Sequence, residues 1–212
     1  MHDFSGTGCI AGVDEVGRGC LAGPVVACAV VFHAEPPSGL ADSKVLKPQQ
    51  RQSLEPQIKN CSHFGIGVVW QKQIDAINIL QATFEAMSKA IVSLRVAPEH
   101  ILVDGNKTIP SSTLMPIWQH YFSKKLPTQQ AVIKGDATIA SIAAASILAK
   151  TFRDRLMGHL AKQWPGYGFE RHMGYGTKMH MQALQRLGPC PLHRLTFRGV
   201  RPEPQIVQTT LC

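Results

Sequence analysis

The chain has 212 residues, enough for one domain with a well-buried core. Its 44% hydrophobic and 17% charged content is that of an ordinary globular protein, and no apolar run approaches the length of a membrane span. Lys plus Arg (22) exceed Asp plus Glu (14), and this net charge of +8 points to an anionic partner, nucleic acid first and an acidic membrane surface second.

Met1 to Gly6 lack the basic-then-apolar order of a signal peptide, so a cytoplasmic location is expected. The cysteines (Cys9, Cys20, Cys28, Cys61, Cys190 and Cys212) form no Cys-x-x-Cys pair and match no zinc spacing. Cys9, Cys20 and Cys28 lie in or beside apolar runs and read as small buried hydrophobes.

Residues 9 to 14 read as a first strand, ending in the adjacent carboxylates Asp14 and Glu15. The turn Gly17-Arg18-Gly19 follows, and then Val25 to Phe32, a β-branched second strand. So short a connection predicts an antiparallel pair. It also rejects a dinucleotide-binding reading of Gly17, Gly19 and Gly23, because that fingerprint needs a helix after its glycines. Residues 33 to 47 are a loop containing Asp42-Ser43-Lys44. A helix is predicted over 48–60 with Pro48 at its start, a third strand over 64–70, and one helix over 74–94.

Ile101 to Val103 is a short strand ending in Asp104-Gly105. Residues 108 to 128 read as irregular or partly helical. Ala131 to Ile133 form another strand, ending in Lys134-Gly135-Asp136, and 137–157 a long helix rich in alanine and isoleucine. A short helix is expected near 177–187 and a frayed tail over 201–212. This order predicts an α/β protein with a mixed sheet covered by helices.

Asp14, Glu15, Asp104 and Asp136 each follow a predicted strand. If those strands lie side by side and parallel, the four carboxylates meet at one edge. Like charges so close need a cation, and hard ions such as Mg²⁺ or Mn²⁺ prefer oxygen ligands. Two ions roughly 4 Å apart can activate a water and stabilise a leaving oxygen in phosphoryl transfer. Each carboxylate also has an ordinary reading: Asp104-Gly105 as a turn, Asp136 as the cap of the helix after it. Asp154 stands too far along the predicted helix to join the cluster, and is expected to pair with arginines such as Arg153 or Arg155, or with a loop elsewhere.

The stretches Gly12-Val13-Asp14-Glu15-Val16-Gly17-Arg18-Gly19-Cys20-Leu21-Ala22-Gly23-Pro24-Val25, Asp42-Ser43-Lys44 and Val103-Asp104-Gly105-Asn106-Lys107 resemble bacterial ribonuclease HII, the type 2 ribonuclease H family. So do Lys134-Gly135-Asp136, the run from Ala143 to Asp154, His172-Met173-Gly174-Tyr175-Gly176-Thr177 and His193-Arg194. The resemblance spans residues 9 to 198 in family order. It implies a ribonuclease H-like fold, with a five-stranded mixed sheet flanked by helices and a helical C-terminal region within a catalytic domain of residues 1–200. It further implies hydrolysis of the RNA strand of RNA–DNA hybrids and cutting 5′ to single ribonucleotides in duplex DNA, leaving 3′-hydroxyl and 5′-phosphate ends, by a monomer using two Mn²⁺ or Mg²⁺ ions. Carried over by position, Asp14, Glu15, Asp104 and Asp136 become the metal-binding catalytic set. Gly17, Arg18 and Gly19 become the sensor of the 2′-hydroxyl, and Tyr175, with Tyr167 as rival, the residue that stacks on the next sugar. Ser43 and Lys44 become phosphate contacts. Val45 and Met173 depart from lysines common in the family, and Arg198-Gly199-Val200 departs from a proline-containing ending. His172 and His193 are expected to make structural hydrogen bonds. Ribonuclease HIII, a DNA-only nuclease of this fold and a non-catalytic binding module are the rivals; the start of the motif at residue 12, the Gly-Arg-Gly triplet and the four carboxylates each count against one of them.

Overall fold

The structure, a computed structural model, describes residues 8–40, 43 and 46–201. Asp42, Lys44, Val45 and the tail beyond Arg201 lie outside the described residues. Five strands form one sheet in the order β3-β2-β1-β4-β5. They are β1 (Ile10–Val16), β2 (Val25–Phe32), β3 (Ser62–Val69), β4 (His100–Asp104) and β5 (Thr128–Val132). β1, β2 and β3 are an antiparallel meander, while β4 and β5 run parallel to β1. Parallel neighbours need crossovers, which α2 (Gln71–Val92) and α3 (Ser111–Phe122) provide.

Period-two alternation on β1 and β2 sorts the core into two layers. Ala11, Val13, Val25, Ala27, Ala29 and Val31 face α2 and α3, where Trp118 is buried. Val26, Cys28 and Val30 face α1 (Pro48–Cys61) and α5 (Ala140–Gln163), meeting Ala144, Ile147 and Leu148. The Ala-rich start of α5 lies close against β1 because position 12 is glycine. A Cβ on Gly12 would stand 2.4 Å from the backbone of Ser141 and Ile142. Gly12→Ala is therefore expected to push α5 off the sheet and cost roughly 1–3 kcal/mol. A thermal melt should show a fall of several degrees, and an unchanged midpoint would refute this account.

A third cluster joins the end of α5 to α6 (Phe169–His172), α7 (Lys178–Leu187) and the segment after α7, through Met157, Leu160, Phe169, Ala183 and Leu192. It is tied to the β1–β2 connection by isolated bridges pairing Cys20 with Tyr175 and Ala22 with His193. Thr177 caps α7, accepting a hydrogen bond from the His180 N–H at 3.3 Å.

Four boundaries differ from the sequence reading. β1 continues to Val16, so Asp14 and Glu15 lie inside the strand, paired with Cys28 and Ala27, rather than at its end. The helix expected from 74 to 94 is interrupted at Asn78 (φ 67°), whose Oδ1 accepts from the N–H groups of Leu80 and Gln81 and so caps a second segment. β5 ends at Val132 and begins at Thr128, where polar side chains hid it from a hydrophobicity pattern. The helix expected from 137 is two: a single turn, α4 (Gly135–Thr138), then an extended Ile139, then α5.

Candidate active site

Parallel pairing of β1 with β4 sets Gly12 beside Leu102 and Val13 beside Val103, so Asp14 and Asp104 come next in line. β5 lies on the far side of β4, and the chain leaves it through Lys134 in a left-handed conformation into α4, which carries Asp136. Asp14, Asp104 and Asp136 each bring a carboxylate oxygen to within 4.8 Å of the others. Asp104 Oδ1 accepts from the N–H of Gly135 at 2.8 Å and from that of Asp136 at 3.4 Å. It is thus Asp104, not Asp136, that caps the helix turn, and the cap locks β4 to the third aspartate.

Asp14 and Asp136 are buried. Burial pushes the Asp14 carboxyl well above the usual carboxylate range, and the charges of Glu15 and Asp104 push it the same way. Hydrogen bonds from the Ser146 hydroxyl and the Glu15 N–H oppose this in part. A carboxylate so placed needs a proton or a cation to balance it, and three oxygen donors this close suit a hard divalent ion.

Glu15 follows Asp14 on the strand, so its side chain takes the opposite face of the sheet. It stands outside the trio of mutually close oxygens, and its Oε1 lies 3.2 Å from Arg18 Nη1. Glu15, Arg18, Asp104, Asn106 and Lys107 line a cleft of about 160 Å³ on that side. The four expected carboxylates thus divide into three at one point and a fourth on the wall of the adjoining cleft.

Gly17 has φ +93°, and a Cβ there would lie 2.3 Å from Arg153 Nε, so this position admits glycine alone without rearrangement. Sequence reasoning missed what holds the turn. Arg194, fully buried, donates to the carbonyls of Gly17 (2.7 Å), Arg18 (2.8 Å) and Gly23 (3.0 Å). Arg153, also fully buried, donates to those of Pro24 (3.0 Å), Ala22 (3.2 Å) and Met173 (2.8 Å). Both lie in motifs visible in the sequence, but nothing in a linear pattern distinguishes an arginine that binds carbonyls from one that binds phosphate.

Tyr175 is 40% exposed, with Lys150 Nζ 5.9 Å from its ring centre. Tyr167 is buried, stacks on Phe169 and donates its hydroxyl hydrogen bond to Gly188. Of these two tyrosines, Tyr175 is the one that presents its ring to the surface beside the Gly-Arg-Gly turn. Ser43 is buried, its hydroxyl paired with that of Ser146 at 2.8 Å, and its carbonyl accepts from Arg51. Its side chain points inward to the support of Asp14 rather than outward to a phosphate. Asp154 pairs with Lys150 (2.7 Å) and Arg51 (3.3 Å), not with Arg153 or Arg155. Lys150 is one turn away on the same helix face, whereas immediate neighbours point elsewhere. Arg155 instead reaches Glu55. His172 and His193 make buried hydrogen bonds, and Met173 packs on the third cluster in a left-handed conformation. Among the described residues no helix is long and apolar enough to cross a membrane.

A family model described as Ribonuclease HII matches residues 11–200. The chain is 56% identical over 196 residues to a ribonuclease HII of Nitratidesulfovibrio vulgaris, covering 92% of this chain and 88% of that one. It is 48% identical over 213 residues to that of Oleidesulfovibrio alaskensis, covering 90% and 79%. Among solved structures, the ribonuclease H2 of Pyrococcus horikoshii OT3 superposes with a TM-score of 0.71 at 30% identity, covering 90% of this chain and 94% of that one. The match runs from β1 to the end of the C-terminal cluster, and the aspartate trio lies within it. The chain therefore belongs to the ribonuclease HII family and is a metal-dependent endoribonuclease.

Proposed function

We propose that the protein hydrolyses the RNA strand of RNA–DNA hybrids and cuts 5′ to single ribonucleotides embedded in duplex DNA, leaving 3′-hydroxyl and 5′-phosphate ends. The observation that carries this reading is the meeting of Asp14, Asp104 and Asp136 beside the Gly-Arg-Gly turn that directly follows β1 and that Arg194 holds. Asp14, Asp104 and Asp136, with Glu15 on the adjoining wall, would hold two divalent ions of the Mg²⁺ or Mn²⁺ class. Bound there, such ions supply Lewis acidity to the attacking water and to the departing oxygen. The chain's own residues bind and select. Backbone groups of Gly17 to Gly19 can approach a 2′-hydroxyl because glycine places no side chain in the way, and that hydroxyl distinguishes RNA from DNA. Tyr175 offers a face for the sugar of the following nucleotide. Arg18 and Lys107 on the cleft wall and Lys150 beside Tyr175 place positive charge where a salt-sensitive grip on phosphates needs it.

The test is cleavage of labelled all-DNA, single-ribonucleotide and long-hybrid duplexes with Mg²⁺ or Mn²⁺. A cut 5′ to the embedded ribonucleotide, with the all-DNA duplex untouched, is the expected result. Cutting of the long hybrid alone would refute the junction role of Tyr175. Binding without cutting on any duplex would refute the reaction.

A further inference from the structure

Beneath Tyr175 lie three buried histidines on three different segments: His172 on α6, His180 on α7 and His193 after it. Their hydrogen-bond partners, followed from the Tyr175 end, order the ring protons. The Tyr175 carbonyl can only accept, so His180 Nδ1, 2.9 Å away, carries a proton. A neutral His180 then has its lone pair on Nε2, which faces His193 Nε2 at 3.0 Å, so His193 is the donor there. That leaves the His193 lone pair on Nδ1, where the Cys190 N–H donates at 2.9 Å, nearer than the Cys190 carbonyl at 3.2 Å. The Cys190 carbonyl is meanwhile satisfied by the His193 N–H. His172 is set in the same way: Nε2 donates to the Tyr167 carbonyl at 2.8 Å, and Nδ1 accepts from the Gly174 N–H. One polar chain thus runs Cys190 N–H, His193, His180, Tyr175 C=O, and a second grips the residue before it.

We propose that His172, His180 and His193 are positioning residues for Tyr175, a neutral one-directional relay that fixes the Gly174–Tyr175 backbone from below and thereby the preference for an RNA-to-DNA junction. The junction part rests on the reading of Tyr175 given above. Gly174 and Tyr175 also pair with the β1–β2 connection, through Leu21 N–H to the Gly174 carbonyl and the Cys20 bridge, so the relay holds one side of the turn against the other. Neutrality follows from the setting. The rings pack on one another and on Tyr167, Phe169 and Cys190, with Arg194 beside His193 in sequence. Among the described residues none of the three pairs with a carboxylate. Burial pushes His193 down to about 4, with His180 adding to it, and burial lowers His180 as well. Running the relay backwards requires an added proton on the pair and leaves the Cys190 N–H without its acceptor.

Two substitutions at His180 separate positioning from folding. An asparagine amide sits where Nδ1 sits and can still donate to Tyr175, but cannot reach His193. A glutamine amide reaches His193 but not Tyr175. His180→Asn, whose amide donates to Tyr175 without needing His193 to set a tautomer, is expected to keep the preference for a single-ribonucleotide duplex over a long hybrid, and His180→Gln to lose roughly 10- to 100-fold of it. The ring signals of Tyr175, one of three tyrosines, should shift in the Gln variant and hold in the Asn variant when read by NMR of ¹³C-tyrosine-labelled protein. Long-range ¹H–¹⁵N spectra of the wild type at neutral pH should show His180 protonated on Nδ1 and His172 and His193 on Nε2. Different tautomers, or Tyr175 signals that move equally in both variants, overturn the relay. Tyr175→Ala with an unchanged substrate preference would overturn the junction reading instead, while the tyrosine spectra still decide the relay.

Discussion

Asp14→Asn is expected to abolish cleavage while leaving the metal-free protein as stable as the wild type or more so. The asparagine Oδ1 can still accept from the Glu15 N–H. The substitution removes a buried negative charge that stands against Glu15 and Asp104. Relief of such a strained site is typically worth about 0.5–2 kcal/mol. Loss of a metal ligand removes several kcal/mol of transition-state stabilisation, on the order of a thousandfold in rate. Two measurements read the two effects. In the wild type, Mn²⁺ should raise the melting temperature, because an ion that binds only the folded state adds stability by mass action. In Asp14→Asn the starting midpoint should be equal or higher and the rise on adding Mn²⁺ largely gone. A variant that cleaves at the wild-type rate, or melts far below wild type without metal, would show that Asp14 serves the fold rather than the metal.

The strands carrying this site were legible because their interiors obey simple patterns. Val25 to Phe32 is buried on both faces, and a run of β-branched residues announces that. That β1 and β4 lie parallel and side by side was a condition of the sequence reading, and the strand pairing supplies it. What could not be read was set by tertiary contact. β5 is an edge strand, half exposed, written in Thr, Gln and Ala, so its limits carry no apolar signal. The break at Ile139 lies in a stretch whose composition favours helix throughout, and the capping of α4 by Asp104, a residue thirty-one positions earlier, decides it. Ser43 looked like a surface loop serine, yet Ser146 and Arg51 draw it inward. In each case the deciding partner is distant in sequence. The aspartates nevertheless meet, because Asp14 near the end of β1, Asp104 at the end of β4 and Asp136 just past β5 share one edge of the sheet. The partition of Glu15 from the trio followed from its odd place on the pleat, a consequence visible only once β1 was known to run through both acids.

Arg194→Lys is expected to be far from conservative. The guanidinium donates to three carbonyls of the β1–β2 connection from a fully buried position, and the Asp75 charge offsets its burial only in part. Burial pushes it down to about 10, still protonated at neutral pH, so the three bonds are charge-assisted ones. A lysine ammonium is a compact point charge that cannot span the fork from Gly17 to Gly23. At least one carbonyl would lose its partner while the charge stays buried, a change costing roughly 3–5 kcal/mol. For a chain of this size the melting temperature should fall by roughly 10 °C. The functional effect is separable from that loss. The aspartates are held by β1, β4 and α4, which Arg194 does not contact, so Mn²⁺ should still raise the midpoint of the variant as it does in the wild type. Below its melting range the variant should cleave the single-ribonucleotide duplex poorly, because Gly17 and Arg18 no longer have fixed carbonyls and the turn cannot hold its approach to a 2′-hydroxyl. If Arg194→Lys instead keeps wild-type cleavage of that duplex, the turn is held by Arg153 and its own glycines, and the three Arg194 bonds serve stability alone.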